Sequence, residues 1–269
     1  MTFKYICEYN TITCILQIDF KDVAFFSWIY YIYILNSILC IMELQEAIRE
    51  RHSVRQYINK PLTESVVTAL NNKIHKLNKE SGLHIQFVTN EPKAFSGFLP
   101  HFAKFSGISN YFAMVGRQDV NMKEKCGYYG EQLVLYAQQL GLNTCWSMTF
   151  SKAKEAYELE EDEKLYILIA TGYGENQGVA HRSKSINQVA DDIENSPQWF
   201  INGVKAALLA PTARNMQKFS FELVGEKVSV KVNSGIFSDI DRGIIRLHFE
   251  IGSGKDASIW NCQISSMQF

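Results

Sequence analysis

The sequence has almost no net charge, with 27 Lys and Arg against 28 Asp and Glu, a formal net charge of −1. With no basic excess to neutralise phosphates along a strand, nucleic-acid binding has no electrostatic basis. Cysteine usage is equally uninformative. No C-x-x-C occurs, and Cys126, Cys145 and Cys262 lie far apart, so neither a disulfide framework nor a zinc site is indicated. A reducing cytoplasm is the default expectation. Several catalytic signatures are missing. There is no G-x-S-x-G nucleophile elbow and no G-x-x-x-x-G-K-[ST] phosphate loop. Gly172-Tyr173-Gly174 is no dinucleotide fingerprint, because Gln177 stands where the third glycine is required. His75, His84, His101 and His248 lack metal-ligand spacing, so no metal is expected. The acidic run Glu158, Glu160, Glu161, Asp162 and Glu163 reads as a solvated turn. Hydrophobic residues make up 46% of the chain, which excludes disorder, and 269 residues are enough for a sizeable core in one large domain or two small ones.

The composition breaks near residue 41. Residues 1–41 hold 10 of the 34 aromatics and three of the six cysteines (Cys7, Cys14, Cys40), but only two of the 27 Lys and Arg. Within them residues 23–41 form a 19-residue run without a charge, just long enough to cross a bilayer as a helix. It makes a poor signal peptide, having a long mixed-charge region before it and no small-x-small cleavage site after it. Three readings stay open: a membrane anchor, a buried or interfacial helix, or translated upstream sequence with Met42 as the native start. Membrane association is expected only under the first.

From Met42 onward the pattern is that of a charged, amphipathic globular chain. Residues 42–52 have helical spacing, Pro61 and Thr63 mark a turn and an N-cap, and residues 66–77 predict a second helix. Residues 84–89 alternate as a strand. Residues 111–115 predict another strand, ending at Gly116. Tyr129, Leu133, Tyr136 and Leu140 form a helical stripe capped by Gly141. Residues 164–170 predict a central strand, stopped by Gly172 and Gly174. After Pro197 come a helix over 200–209 ended by Pro211, a hairpin of 219–224 and 228–232, and a helix over 241–252. The mixture predicts an α+β fold with a mixed or antiparallel sheet flanked by helices. Residues 127–142 and 243–252 echo each other as glycine-opened amphipathic helices, an indication of two related halves.

Four segments could carry chemistry. Arg51-His52-Ser53-Val54-Arg55 places two guanidiniums, an imidazole and a hydroxyl at a helix end, where Arg51 and Arg55 could bind phosphate. A solvated helix end is the plain alternative. In residues 210–217, Thr212, Asn215 and Gln217 could bond a heterocycle edge or sugar hydroxyls, or simply form a polar loop. Residues 141–150 could lay backbone N–H groups against a flat ligand, or place Trp146 and Phe150 in the core with an inert Cys145. Arg182 and Lys184 could close on a phosphate, or lie on a surface loop.

Taken together, these segments resemble the FMN-dependent nitroreductase family. R-H-S-V-R (Arg51 to Arg55) resembles its R-x-S-x-R/K signature, G-L-N-T-C-W (Gly141 to Trp146) its G-L-G-T-x-W, and A-P-T-A-R-N-M-Q (Ala210 to Gln217) its A-P-S-x-x-N-x-Q-P. Asn143 replaces a usual glycine, and Lys218 stands where proline is common. The last motif comes near the C-terminus instead of shortly after the first. That order resembles the TM nitroreductase branch, in which two nitroreductase-like repeats are fused into one chain. The resemblance implies a repeat over 42–190, a second over 191–269, and an intrachain pseudo-dimer with one composite flavin site, as a monomer or a homodimer. Residues 255–269 match no part of the pattern.

The resemblance also implies roles. Arg51 and Ser53, with His52 beside them, would bind the FMN phosphate and ribityl chain. Arg55 would lie near the flavin N1–O2 edge and stabilise the reduced form, the one catalytic role assigned. Pro211, Thr212, Asn215 and Gln217 would contact the flavin from the opposite half. The backbone of Ser147, Met148 and Thr149 would reach N5, and Arg182, with Lys184, would complete the phosphate clamp. FMN would pass a hydride from NAD(P)H to a small-molecule acceptor, a nitroaromatic or quinone, with ping-pong kinetics. A degenerate flavin-binding module and a membrane-anchored reductase are the alternatives.

Overall fold

The computed structural model describes residues 4–9, 12–17, 42–96, 104–147 and 156–261. The uncharged run 23–41 lies outside them. The chain forms two compact units, Met1–Ile41 and Met42–Phe269. In the first, β1 (Lys4–Tyr9) pairs antiparallel with β2 (Ile12–Gln17). Among the described residues no helix is long and apolar enough to cross a membrane.

The larger unit opens with α1 (Leu44–Glu50) and α2 (Glu64–Ser81). The Thr63 hydroxyl accepts from the Val66 amide, and Gly82 ends α2 in the left-handed conformation. An N-cap of this kind contributes about 1 kcal/mol. The expected helix 66–77 is therefore the middle of a longer one. Next come β3 (His84–Val88), β4 (Tyr111–Arg117), α3 (Met122–Gln139), β5 (Asn143–Ser147) and β6 (Glu163–Gly172). The four strands form an antiparallel sheet in the order β3-β4-β6-β5.

Both faces of this sheet are covered. Phe112, Met114, Ile167 and Ile169 join the cluster beneath α2 and α3. Tyr111, Ala113, Val115, Leu168 and Ala170 join a second cluster with Val54, Tyr57, Phe95 and Phe105. Burial on both sides is why residues 164–170 read as a continuous apolar run and not as an alternation. Gly116 does not stop β4. Its bare Cα lies between the Leu83 and Met122 side chains, and pairing continues to Arg117.

The remainder comprises α4 (Gln198–Ala207), the hairpin β7 (Phe219–Val224) and β8 (Lys227–Val232), and α5 (Ser238–Ser253). The hairpin turns through Gly225, whose φ is +61°, and inserts Phe219, Phe221, Val228 and Val230 into the first cluster. Phe200, Phe221, Phe249 and Trp260 pack against one another with centroid separations of 5.0–6.5 Å. Each such aromatic pair contributes about 1 kcal/mol beyond area burial.

Helices α3 and α5 cross at two glycines. A Cβ on Gly127 would lie 2.0 Å from the Ile240 carbonyl oxygen, and a Cβ on Gly243 would lie 2.1 Å from that of Glu124. The contacts are reciprocal: each glycine faces the carbonyl three residues before the other. Helix α1 lays Ala47 and Ile48 against Leu135 of α3 and Leu247 of α5. This docking fixes where the chain leaves α1, at Arg51.

Candidate functional site

A cavity of about 700 Å³ opens between segments far apart in sequence. That is within the usual size of a small-molecule site. One wall is Arg51, His52, Ser53 and Arg55 with Trp146 and Ser147. The other is residues 211–216, Lys218 and the start of α5, including Asp241.

Backbone bonding builds the first wall. The Arg51 amide donates to the Ala47 carbonyl and ends α1. The chain then runs extended beside β5, with a parallel bridge between Ser53 and Thr144 and a bond from the Val54 amide to the Thr144 carbonyl of 3.0 Å. Val54 and Tyr57 drop into the apolar cluster behind the sheet, while Arg51, His52, Ser53 and Arg55 remain on the cavity. Residues 143–147, within the 141–150 stretch that could lay its backbone against a ligand, form an edge strand.

Arg51 is 3% exposed. Burial works against its charge, and Glu131 of α3 partly offsets that. Yet the nearest Glu131 oxygen is 3.9 Å from Nε, and Nε has no hydrogen-bond partner. Both Glu131 oxygens are taken elsewhere: Oε1 lies 2.8 Å from His248 Nε2, and Oε2 accepts from Trp146 Nε1 at 2.8 Å. Ser147 Oγ is a second buried polar atom without a partner at the cavity wall. Unpaired buried donors cost about 1–3 kcal/mol each, so this wall is suited to a polar, anionic ligand.

The second wall is a strained loop. Arg214, Asn215 and Gln217 have φ of +53°, +53° and +47°, each costing about 1 kcal/mol or more outside glycine. Gln217 holds it. Its amide N–H donates to Thr212 Oγ1 (3.1 Å), and its side-chain nitrogen donates to Asn215 Oδ1 (2.8 Å) and the Arg182 carbonyl (2.9 Å). From α5, Asp241 Oδ1 accepts from the Ala213 amide at 2.9 Å.

Burial pushes the Asp241 carboxyl up to about 6, against an ordinary 3.8, and the Ala213 bond only partly opposes it. A raised carboxyl favours the protonated native state. Between about pH 4 and 6 the native chain keeps a proton that the unfolded chain has released, so stability falls as pH rises through that window. We expect Asp241→Asn to remove that slope, worth on the order of 2 kcal/mol across the window. Denaturant midpoints of both chains from pH 4 to 7 check it; parallel curves contradict it.

Of the residues expected from the sequence, the structure places Arg51, His52, Ser53, Arg55, Ser147, Pro211, Thr212 and Asn215 around this one cavity. Met148 and Thr149 lie outside the described residues. Gln217 is buried and braces the loop from behind. Arg182 and Lys184 are not on the cavity wall. The Arg182 carbonyl is bound by Asn215 and Gln217, and the Lys184 ammonium donates to the Gln217 carbonyl at 2.7 Å. These bonds to the back of the loop hold both residues in a bracing position. Glu131, His248 and Asp241 belong to none of the four sequence segments. The available signal for Glu131 was a carboxylate in the i, i+4 row between Gly127 and Leu135, both buried. His248 stands likewise four residues after buried Ile244.

Three solved structures, each described as a putative nitroreductase, are similar to this chain. One, from Thermotoga maritima, is 23% identical, covers 79% of this chain and 84% of its own, and superposes with a TM-score of 0.55; it shares the fold. Two in complex with FMN cover only about half of this chain. The one from Desulfovibrio desulfuricans is 18% identical (54% of this chain, 94% of that one), and the one from Exiguobacterium sibiricum 16% (56% and 97%), both at a TM-score of 0.44. No curated protein matches. The antiparallel sheet flanked by helices is the nitroreductase fold. Residues 43–253 match the model of the family described as "Putative TM nitroreductase", and the chain belongs to that family.

Proposed function

We propose that the chain is an FMN-dependent NAD(P)H oxidoreductase whose cofactor lies in the cavity between residues 51–55 and 211–216. The observation that carries this reading is the buried Arg51 guanidinium, with an orphaned Nε, on the same cavity as the orphaned Ser147 hydroxyl. A phosphate and a heterocycle edge would meet these unmade bonds, so the residues present fit FMN. Bound there, FMN would supply the redox chemistry, taking a hydride from NAD(P)H and returning electrons to a small acceptor such as a nitroaromatic or quinone.

The chain's own residues position and polarise. Arg51 and Ser53 would hold the phosphate and ribityl chain, with His52 beside them. Arg55, exposed at the cavity edge, would place positive charge where reduction builds negative charge. The Thr212–Asn215 loop would close the ring's other side, and its strain, braced by Gln217, pre-forms that surface before any ligand arrives. Asp241 is the one carboxylate among the residues lining the cavity, so the electrostatic field there favours an anion.

We further propose that 42–190 and 191–269 are two degenerate nitroreductase-like repeats forming one composite site as an intrachain pseudo-dimer. Two observations support this. The order helix, strand, antiparallel strand, helix occurs twice, as α2-β3-β4-α3 and α4-β7-β8-α5. The Gly127 and Gly243 contacts are reciprocal. On this reading a monomer suffices for the site.

The test is a visible absorption spectrum of the purified chain, before and after anaerobic NADPH or NADH. A flavin spectrum that bleaches, and recovers with a quinone or nitroaromatic, is expected. A colourless protein that takes up no added FMN overturns the reading. In the same assay Arg55→Leu should lower the flavin reduction potential; an unchanged potential removes Arg55 from its role.

A further inference from the structure

The ion pair beneath Arg51 has an unusual charge balance. His248 is fully buried and has an acceptor on each side: the Ala206 carbonyl 3.1 Å from Nδ1 and Glu131 Oε1 2.8 Å from Nε2. A carbonyl oxygen cannot donate, so Nδ1 carries a hydrogen. The short contact at Nε2 then needs one more, shared with Glu131. Wherever that proton rests, Glu131 and His248 together are electrically neutral. Trp146 Nε1–H occupies the other carboxylate oxygen. Arg51 stands 3.9 Å away, so the three side chains together carry one net positive charge.

We infer that Glu131 and His248 are positioning residues, a neutral proton-sharing pair that orients Arg51 without cancelling its charge, so that the cation stays available to an anionic ligand. The pair joins three helices. Glu131 sits on α3, His248 on α5, and the Ala206 carbonyl on the last turn of α4 just before the 210–217 loop. It therefore ties the Arg51 wall to the loop wall. A lone carboxylate in this place would draw Arg51 into a closed ion pair and withdraw it from the cavity. The inference rests on the reading of the cavity as an FMN site.

The test follows the charge. In His248→Gln the second proton is gone, and Glu131, flanked by Arg51 and the Trp146 N–H, stays ionised and neutralises Arg51. FMN affinity should fall about tenfold, the value of one weakened charge-assisted bond, with a shallower salt dependence. Adding Glu131→Gln to that chain removes the stray charge and should restore most of the affinity. A purely structural role predicts the reverse, a double variant worse than the single one. The inference is overturned if His248→Gln binds FMN as the parent does, or if the double variant, folded to the same melting temperature, binds no better than the single one. A second measurement needs neither flavin nor a variant: the ¹⁵N spectrum of the parent's His248 ring should show a protonated Nδ1, and an unprotonated Nδ1 overturns the pair. A parent that binds no FMN overturns the functional reading, while the ring spectrum still decides the pair.

Discussion

Replacing Arg51 with alanine is expected to yield a chain that purifies without flavin and binds added FMN about 100-fold more weakly. Arg51 is the only buried cation on the cavity among its described lining residues, and a charge-assisted contact made out of water carries about 1.5–3 kcal/mol. Arg55, Arg214 and Lys218 on the same cavity are exposed and screened, so losing any one of them should cost far less. Arg51→Lys should recover only part of the loss, because a point charge cannot reproduce the planar fork of donors. Titration of the apo chain with FMN, read by the quenching of flavin fluorescence, checks both. Equal affinities in the parent and in Arg51→Ala would place the phosphate elsewhere.

The largest effect on stability is expected at the α3–α5 crossing. In an exposed helix, replacing glycine with alanine gains about 1 kcal/mol. At Gly127 the sign reverses, because the new Cβ would stand 2.0 Å from the Ile240 carbonyl oxygen and backbone cannot swing aside as a side chain does. Gly127→Val should therefore cost about 3 kcal/mol or more through separation of the helices. It should also weaken FMN binding, since α5 carries Ile240, Asp241 and Ile244 on the cavity. Urea midpoints and m-values measure the first effect and flavin titration the second. A midpoint at or above that of the parent would mean that the helices do not meet there.

The elements legible in the sequence are those whose local pattern and tertiary environment agree. Thr63 announces the start of α2, and the alternation of 219–224 and 228–232 around Gly225 announces the hairpin. The misread ones depend on partners remote in sequence. Residues 143–147 carry no strand pattern, and pairing with β6 makes them a strand. Gly116 reads as a stop, but packing against Leu83 and Met122 carries β4 past it. Glu163 reads as part of a solvated run, yet its carboxylate lies 2.8 Å from His84 Nδ1 and is held below the usual range chiefly by the Glu160 amide and His84, against a desolvation that raises it.

The same division runs through the site. The sequence by itself determined the α+β class, the order of most elements and the segments 51–55 and 210–217, because their residue types and spacing are local properties. Only the tertiary structure decided that these segments share a cavity, that Gln217 and Lys184 brace the loop from behind it, and that a glutamate on α3 and a histidine on α5 meet beneath Arg51. Those placements follow from the docking of α1 on α3 and α5 and from the glycine crossing, contacts between residues more than eighty positions apart. The physical reason is that burial and hydrogen-bond satisfaction are properties of the folded surroundings: a charged side chain carries its chemistry in its formula, but its partners and its exposure are set by whatever the rest of the chain packs around it.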